Sequence, residues 1–272
     1  MMNMITVCLV ALTSLVLASC HDADDDEPKT TNGDEWKLVW MDDFDGDGWD
    51  PDVWYKEDRY SSNYFETHSG DPRLYEVSNS CLILRSMVND FLPYDPAPVV
   101  CGSIRSLKSF NMVNGKIEIR AKVQNARGCN PSLWLMPVGD QGWPDTGEID
   151  ILEYPFANGY AYQTVHTYQT NTVGNTTDPI SSVHTHINVN EFNVYSVEVT
   201  SDSLTYAING TRTMTFPRLP DVEKQYPFGA DYLWYLKLSA GAGTAKSWQG
   251  KANPEDLPSE FQIDWVKYYR KD

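Results

Sequence analysis

Short apolar runs separated by turn residues fill the chain from Trp36 onward. In the clearest of them, KIEIRAKV from Lys116 to Val123, apolar residues alternate with charged ones. A period of two is expected for a β-strand that buries one face and exposes the other. Similar runs begin at Leu38, Cys81, Glu148, Asn193, Leu204, Leu233 and Phe261. No run shows the apolar stripe of an amphipathic helix, so the pattern predicts a chain built from strands.

Turn-forming dipeptides lie between these runs. Asn-Gly pairs begin at Asn114, Asn158 and Asn209, and Asp-Gly pairs begin at Asp45 and Asp47. Both dipeptides favour the tight turns of β-hairpins, because Gly and Asn accept a positive φ. We therefore expect one all-β domain over residues 35–272, folded as an antiparallel sandwich.

The first 34 residues follow a different pattern. Ile5–Ala18 is an apolar run too short for a comfortable transmembrane helix but suited to the core of an export signal. LASC, ending at Cys20, resembles a bacterial lipoprotein box, and the acidic HDADDDEP after it resembles the surface-export signal of Bacteroidetes lipoproteins. We expect a signal peptide over 1–19, a lipidated Cys20, a polar linker over 20–34, and anchoring at the outer membrane or cell surface of a Gram-negative bacterium. A cleaved signal with an incidental cysteine is the alternative.

The net charge of the chain limits the kinds of molecule that it can bind. The 272 residues hold 21 Lys and Arg against 38 Asp and Glu, a net charge of −17. No basic stripe is visible, so we expect no nucleic-acid partner. The same excess argues weakly against polyanionic substrates, whose binding site would need clustered cations.

Three cysteines remain once the signal and the lipidated residue are set aside: Cys81, Cys101 and Cys129. They allow one disulfide at most and leave an odd thiol. None lies in a motif that supplies a base, so we interpret them as structural.

The acidic strand EIDILE carries the strongest chemical signal. Glu148 and Asp150 fall on one face of a strand, and a β-bulge at Ile151-Leu152 would return Glu153 to that face. Retaining glycosidases need two carboxyl groups about 5–5.5 Å apart, one as nucleophile and one as proton donor. The charge of an acid between them raises the proton affinity of its neighbours. For EIDI alone, a solvated surface strand is the alternative.

Seven aromatic residues lie near these acids in the sequence, and aromatic rings can stack on the C–H faces of sugars. We expect about half of these seven residues to be structural instead. They are Trp134, Trp143, Tyr154, Phe156, Tyr160, Tyr162 and Tyr168.

The segments WLMP, GEIDILEY and TVH resemble glycoside hydrolase family 16, in the bulge-containing branch of laminarinases, agarases and related endo-hydrolases. The opening WKLVWMDDFDGDGWDPDVW, the internal GKIEIRAKV and the closing FQIDWVKYYR are similar to the family as well. The resemblance covers nearly the whole mature chain. It implies a jelly-roll sandwich of two curved antiparallel sheets with an open glycan cleft.

The same resemblance implies roles for individual residues. Glu148 would be the nucleophile, Asp150 an assisting acid and Glu153 the general acid/base. Trp134 would line the subsite beside the scissile bond, and His166 would approach the same sugar. The other candidates for substrate binding are Trp143, Tyr154 and Trp248.

Metal ligands are weighed separately. The family often carries a structural calcium, and Asp264 in the closing strand matches its aspartate. DFDGDG at Asp43 lacks the closing glutamate of an EF-hand and is rejected. His184 and His186 could face one way from a strand, but solvated surface histidines are the favoured interpretation over zinc. No catalytic cofactor is expected.

Together these features predict a surface-anchored, monomeric, retaining and endo-acting β-glycan hydrolase. A neutral substrate suits the negative charge, with two options: a β-1,3-glucan of the laminarin type, or β-galactosyl glycans such as mucin O-glycans. The alternatives are a non-catalytic glycan-binding lipoprotein on the same fold and a structural adhesion domain. The three acids favour the hydrolase.

Overall fold

A computed structural model describes most of the chain beyond the acidic linker. The described residues are 35–57, 59, 66–139, 142–229 and 232–271. The expected signal peptide, Cys20 and the linker over 20–34 lie outside them, so these assignments stay predictions. Across the described residues, no helix is both long enough and apolar enough to cross a membrane.

The described residues form seventeen strands and three short helices. The strands are β1 (Lys37–Asp42), β2 (Trp54–Lys56), β3 (Tyr75–Ser78), β4 (Cys81–Val88), β5 (Val99–Cys101), β6 (Ser103–Ser106), β7 (Phe110–Asn111), β8 (Gly115–Lys122), β9 (Ser132–Pro137), β10 (Glu148–Glu153), β11 (Tyr160–His166), β12 (Ser182–His186), β13 (Asn193–Val199), β14 (Ser203–Ile208), β15 (Thr211–Pro217), β16 (Leu233–Ser239) and β17 (Ser259–Arg270). The helices are 3₁₀ turns at Pro72–Leu74 and Pro254–Asp256 and a π-helical segment at Tyr168–Val173.

The strands form two antiparallel sheets. The nine-stranded sheet has the order β15-β14-β13-β8-β17-β4-β3, with β1 paired to β17 and β5 paired to β4. The eight-stranded sheet has the order β12-β11-β10-β9-β16-β6-β2, with β7 paired to β16. Neighbours in both sheets are often distant in sequence, which gives a jelly-roll-like sandwich. The all-β prediction is confirmed.

The core lies between the two sheets and follows the alternation in the sequence. On β8, Ile117, Ile119 and Ala121 are all 0% exposed, whereas the charged residues between them are partly exposed. Leu133 and Leu135 of β9, also 0% exposed, supply apolar side chains from the other sheet. Burial of apolar area at roughly 25 cal/mol per Å² is the main stabilising contribution. β8 therefore buries one face only, whereas the central strand β9 is buried on both faces.

Every apolar run that predicts a strand is a strand. The Asn-Gly pair at Asn209 forms the hairpin turn between β14 and β15, with φ of 49° at Asn209 and 73° at Gly210. Several strands that the runs do not predict are short or polar, whereas β9 (SLWLMP) is a six-residue apolar strand that they miss. β5 and β7 have three and two residues, and β12 (SVHTH) has no apolar alternation.

The three described cysteines are all buried and free. Burial raises the pKa of the Cys101 thiol and raises that of Cys129 to about 12, so both stay protonated and unreactive at neutral pH. This agrees with a structural role.

Candidate active site

A β-bulge in β10 brings the three acids of EIDILE to one face of the eight-stranded sheet. Asp150 pairs with Trp134 on β9 and Glu153 pairs with Ser132, so three steps along β10 match two steps along β9. The register against β11 shifts between the same two acids. Residues two apart on a regular strand share a face, and the extra residue therefore returns Glu153 to the face of Asp150. The predicted bulge is present.

The apolar residues of β10 remain in the core despite the bulge. Ile149, Ile151 and Leu152 are all 0% exposed and belong to the cluster between the sheets. The apolar side chains point into the core both before the bulge and within it. The outer face of β10 therefore carries only the carboxylates.

A continuous row of side chains crosses this outer face through Asp150. Cross-strand pairing joins, in order, Tyr55, Arg105, Lys237, Trp134, Asp150, Thr164 and Ser182. Neighbouring strands lie about 4.8 Å apart, so the row spans seven strands and reaches both edges of the sheet. A polar and aromatic face of this extent can bind an extended polymer on both sides of the acids.

Glu148 stands at the start of β10 and is partly buried. Nε1 of Trp143, in the preceding loop, donates a hydrogen bond of 2.6 Å to Oε2 of Glu148. The Trp143 ring is 50% exposed, and its centroid lies 6.1 Å from the ring of His166. A short hydrogen bond from an indole N–H fixes the orientation of the carboxylate that accepts it. Trp143 therefore positions the candidate nucleophile and presents a ring to the cleft.

Asp150 is 3% exposed and contacts His166, whose Nε2 lies 3.0 Å from Oδ2 of Asp150. Nδ1 of His166 lies 3.1 Å from Oδ1 of Asn171. Burial raises the pKa of Asp150 well above its usual range, and the charges of Glu148 and Glu153 add to this. Burial alone would lower the pKa of His166, but the bond and charge of Asp150 raise it to about 10. The Asp150–His166 pair therefore keeps at least one proton at neutral pH.

Glu153 closes the bulge on the same face. Nδ2 of Asn130 donates a hydrogen bond of 3.0 Å to its Oε1. Burial raises the pKa of Glu153, and this outweighs the opposing effect of the Asn130 bond. A carboxyl group with a raised pKa can hold a proton near neutral pH and deliver it to a leaving oxygen.

Glu148, Asp150 and His166 also form a potential metal cluster. One donor atom from each lies within 4.8 Å of the others. An imidazole must be neutral to bind a metal, and the raised pKa of His166 opposes that. The geometry therefore fits a proton-sharing network better than a metal centre.

Trp134 is the neighbour of Asp150 in the cross-strand row. Its ring is 6% exposed, Nζ of Lys237 lies 4.2 Å from the ring centroid, and its Nε1 donates to Oγ of Ser239 at 3.4 Å. Trp134 and Trp143 line a cavity of about 490 Å³ beside the acids. Trp134 is thus in the region expected of it, although only its edge reaches the cavity.

Tyr154 does not lie on the substrate face. Its side chain is 1% exposed and packs in the core. Its hydroxyl donates to Oδ1 of Asn125 and accepts a bond of 2.9 Å from the backbone N–H of Gly159. The expectation of a sugar contact at Tyr154 is wrong, because the residue after the bulge turns inward and stabilises the β10–β11 connection.

A second aromatic surface lies beyond Glu153, on the side of β11 and β12. Trp248 is 53% exposed and stands edge-on to Phe156 at 5.2 Å. Phe156 in turn contacts Tyr162, whose ring lies 3.9 Å from that of His184. Exposed rings in a connected group present flat apolar faces on the opposite side of the acids from the cavity.

The surroundings of Asp264 do not fit a calcium ion. Its Oδ2 is bound by Nη1 of Arg120, and its Oδ1 faces Sγ of Cys81 at 3.9 Å. A guanidinium repels a divalent cation and occupies an oxygen that the ion would need, and a thiol is a poor calcium ligand. The calcium implied by the family resemblance stays a prediction that these contacts oppose.

The sequence interpretation did not identify an ion-pair cluster on the same face. Glu57, 2% exposed, lies 3.0 Å from Nζ of Lys237 and 3.0 Å from Nε of Arg105. The two cations are cross-strand neighbours on β16 and β6. Lys237 lies singly in an apolar run, Arg105 lies in the short strand SIRS, and Glu57 follows a three-residue strand. No local signal predicts that they meet.

Two sheets with clustered carboxylates on an aromatic-lined outer face define a sandwich-type glycoside hydrolase. Residues 62–267 match the model of glycosyl hydrolases family 16. The chain belongs to this family.

Relatives and solved structures agree with that assignment. The keratan-sulfate endo-1,4-β-galactosidase of Sphingobacterium multivorum is 30% identical over 242 residues, which are 87% of this chain and 56% of that protein. The chain therefore spans just over half the length of this relative. The laminarinase structure from Rhodothermus marinus superposes with a TM-score of 0.76 at 25% identity, covering 88% and 99% of the two chains. A structure from work on endo-acting O-glycanases that initiate mucin breakdown in human gut microbiota gives 0.75 at 25% identity, over 87% and 100%.

Proposed function

We propose that this chain is a retaining, endo-acting β-glycan hydrolase with Glu148 as nucleophile and Glu153 as acid/base. The observation that carries the proposal is the bulge in β10. It aligns three acids of different environment on one outer face, between a cavity on one side and an aromatic surface on the other. Neither a binding module nor an adhesion domain requires such an alignment.

The residues divide the reaction between them. Glu148, oriented by Trp143, attacks the anomeric carbon while Glu153 gives its proton to the leaving glycosidic oxygen, which forms a glycosyl ester and releases the first product. Glu153, now ionised, takes a proton from water as that water attacks the same carbon and releases Glu148. Asp150 and His166 hold a proton beside Glu148 and limit the build-up of negative charge.

The position of β10 supports cleavage within a polymer. Two strands lie on one side of β10 in the sheet, and five, including β7, lie on the other. A chain that crosses the row is therefore contacted on both sides of the acids, and each occupied subsite contributes binding energy that can be used at the scissile bond. Polymers should be cleaved faster than short oligosaccharides.

β-Galactosyl glycans are the favoured substrate class, because the galactosidase of Sphingobacterium multivorum is 30% identical over most of this chain. A β-glucan is the second candidate. The β-glucanase of Rhodothermus marinus, 28% identical, matches 94% of this chain and 92% of its own length. Product sizing after incubation with keratan-type galactans, mucin glycans, laminarin and mixed-linkage glucan distinguishes the two.

The test of the mechanism is the Glu148→Gln variant. It should lose several orders of magnitude in turnover while still binding glycan, because the amide keeps the shape and loses the nucleophile. Glu153→Ala should lose less activity on substrates with a good leaving group, which need little protonation. A Glu148→Gln variant with a tenth of normal activity, or NMR showing an α-configured first product, would refute the proposal.

The lipid anchor is a further part of the proposal and is supported by the sequence at Cys20. The Cys20→Ser variant should move from the membrane fraction to the soluble fraction, since the thiol is the attachment atom. Unchanged fractionation would show that the box is misread. We also propose a monomer, which size-exclusion chromatography with light scattering tests.

A further inference from the structure

The loop over residues 142–147 leads directly into β10 and carries Trp143, the hydrogen-bond donor to Glu148. Its backbone is folded by two local hydrogen bonds, both of 3.0 Å. Local bonds set the shape of a loop, but they do not fix where it stands relative to the sheet. The position of Trp143 therefore depends on contacts that this loop makes with other segments.

One such contact is an ion pair with the segment 218–229, which follows β15. Nζ of Lys224 lies 2.6 Å from Oδ2 of Asp145, a separation that gives a charge-assisted hydrogen bond. The same ammonium group lies 5.2 Å from the centre of the Tyr168 ring, at the start of the π-helical segment after β11. Lys224 therefore contacts both the loop before β10 and the segment after β11.

The segment 218–229 is itself fixed to the fold. The side chain of Gln225, 2% exposed, accepts a hydrogen bond from the backbone N–H of Leu219 and donates one to the backbone oxygen of Pro217, both of 2.9 Å. Phe228 is 0% exposed and belongs to the core. A buried amide that is bonded at both its oxygen and its nitrogen restricts the backbone around it. Lys224 therefore extends from a fixed base.

The end of the loop packs against the same segment. Gly147, the last residue of the loop, has a φ of 86°, and a Cβ atom at this position would lie 2.9 Å from side-chain atoms of both Pro227 and Phe228. Only glycine allows so close an approach with this backbone conformation. The packing fixes the end of the loop, and the ion pair at Asp145 fixes its middle, two residues after Trp143.

We propose that Lys224 is a positioning residue for the hydrolysis. By binding Asp145, it holds the loop in the place where Trp143 orients Glu148. The inference rests on the proposed function, since it concerns how the candidate nucleophile is held for attack. A displacement of about 1 Å at a reacting group can lower a rate by about 100-fold, so even a small shift of the loop is measurable in the rate.

This role differs from stabilising the fold and from binding the sugar. The side chains of Lys224 and Asp145 are 44% and 37% exposed, and ion pairs of such exposure add little to stability. Loss of the pair should therefore change the rate much more than Tm. Loss of a direct contact with bound substrate would instead raise KM.

The kinetic test uses the polymer that the wild type cleaves best. Lys224→Gln should lower kcat about threefold or more with KM nearly unchanged. Asp145→Asn should give the same loss, and the double variant should lose no more than either single variant, because each removes the same ion pair. Lys224→Arg keeps the charge and should retain most of the activity. An unchanged kcat in Lys224→Gln, or an effect confined to KM, would contradict the positioning role.

Lys271→Gln is the matched control. Lys271 also pairs with a carboxylate, that of Glu198 at 3.7 Å, and also lies near an aromatic ring, that of Trp36 at 4.4 Å. It follows β17 in the nine-stranded sheet, away from the acids. Thermal denaturation should show a similar, small change of Tm in both lysine variants. A control that loses as much kcat as Lys224→Gln would refute the assignment to this ion pair.

A double-mutant cycle shows whether Lys224 acts through Trp143. The Trp143→Phe variant lacks the donor to Glu148, so adding Lys224→Gln to it should lower kcat little further. Full additivity of the two losses would mean that Lys224 acts by a separate route, and the inference would fail.

A readout without catalysis separates this inference from the proposed function. Proton–nitrogen NMR records the indole N–H signals, and the signal of Trp143 is the one missing from Trp143→Phe. A hydrogen bond to a carboxylate moves an N–H proton downfield, so this signal should move upfield in Lys224→Gln and stay in place in Lys271→Gln. If it does so while Glu148→Gln keeps its activity, the nucleophile assignment fails and the positioning of Trp143 by Lys224 stands. An unmoved signal would overturn that positioning whatever the rates.

Discussion

Replacing Glu153 by Gln should make the protein more stable at neutral and alkaline pH. The raised pKa of Glu153 means that the folded state holds its proton to a higher pH than the unfolded state does. Between the unfolded and folded pKa values the folded state binds more protons, so the free energy of unfolding falls as pH rises through that window. Above the folded pKa the full cost of a buried charge is present. Gln has no proton to lose and avoids that cost.

The size of the effect follows from linkage. Each unit between the two pKa values corresponds to about 1.4 kcal/mol. For a domain of this length, one kcal/mol changes Tm by about 2–4 °C, so each unit contributes roughly 3–6 °C. The Glu153 side chain is partly exposed to the cleft, so screening by water makes the gain smaller than it would be for a fully buried charge. Removing its charge also relieves the repulsion on Asp150, which acts in the same direction.

Thermal denaturation from acid to mildly alkaline pH tests this. The difference in Tm between Glu153→Gln and wild type should be small in acid, grow as pH rises and then level off. Glu191→Gln, at an exposed turn, is the control and should show no such trend. A difference that is constant with pH, or a variant that is less stable in alkali, would refute the assignment of a raised pKa to this carboxyl group.

Three further predictions concern the rest of the chain. Trp143→Phe should lower kcat/KM about tenfold, because it keeps a ring and loses the donor to Glu148; Trp248→Phe, on the exposed aromatic surface beyond Glu153, should change it less. EDTA should leave Tm unchanged, since Arg120 occupies the carboxylate of Asp264; a fall in Tm restored by calcium would contradict this. The three buried cysteines should react with a thiol reagent only after unfolding, and labelling of the folded protein would show that they are accessible.

Local pattern was sufficient to predict the sandwich and the alignment of the three acids on β10. A period of two along β8 and β17 is a property of neighbouring residues, and so is the bulge, since only an extra residue aligns Glu153 with Asp150. Local pattern could not show which aromatic residues face the cleft. Tyr154 and Trp143 are both close to the acids in sequence, yet one is 1% exposed and the other 50%. Tyr154 follows the bulged strand and points inward, whereas Trp143 lies in the loop before that strand and points outward. The packing of both sheets determines these two directions.

The ion-pair cluster of Glu57, Lys237 and Arg105 shows a limit of a different kind. Glu57 and Lys237 are 180 residues apart in sequence, and only one strand, β6, lies between β2, which Glu57 follows, and the strand of Lys237. Composition counts every charge without its position, so it cannot show that these groups meet. The three acids that we propose to react lie on one strand, where the sequence itself brings them together. The other charged groups of the same face come from strands that only the fold makes neighbours, and their contacts must be read from the structure.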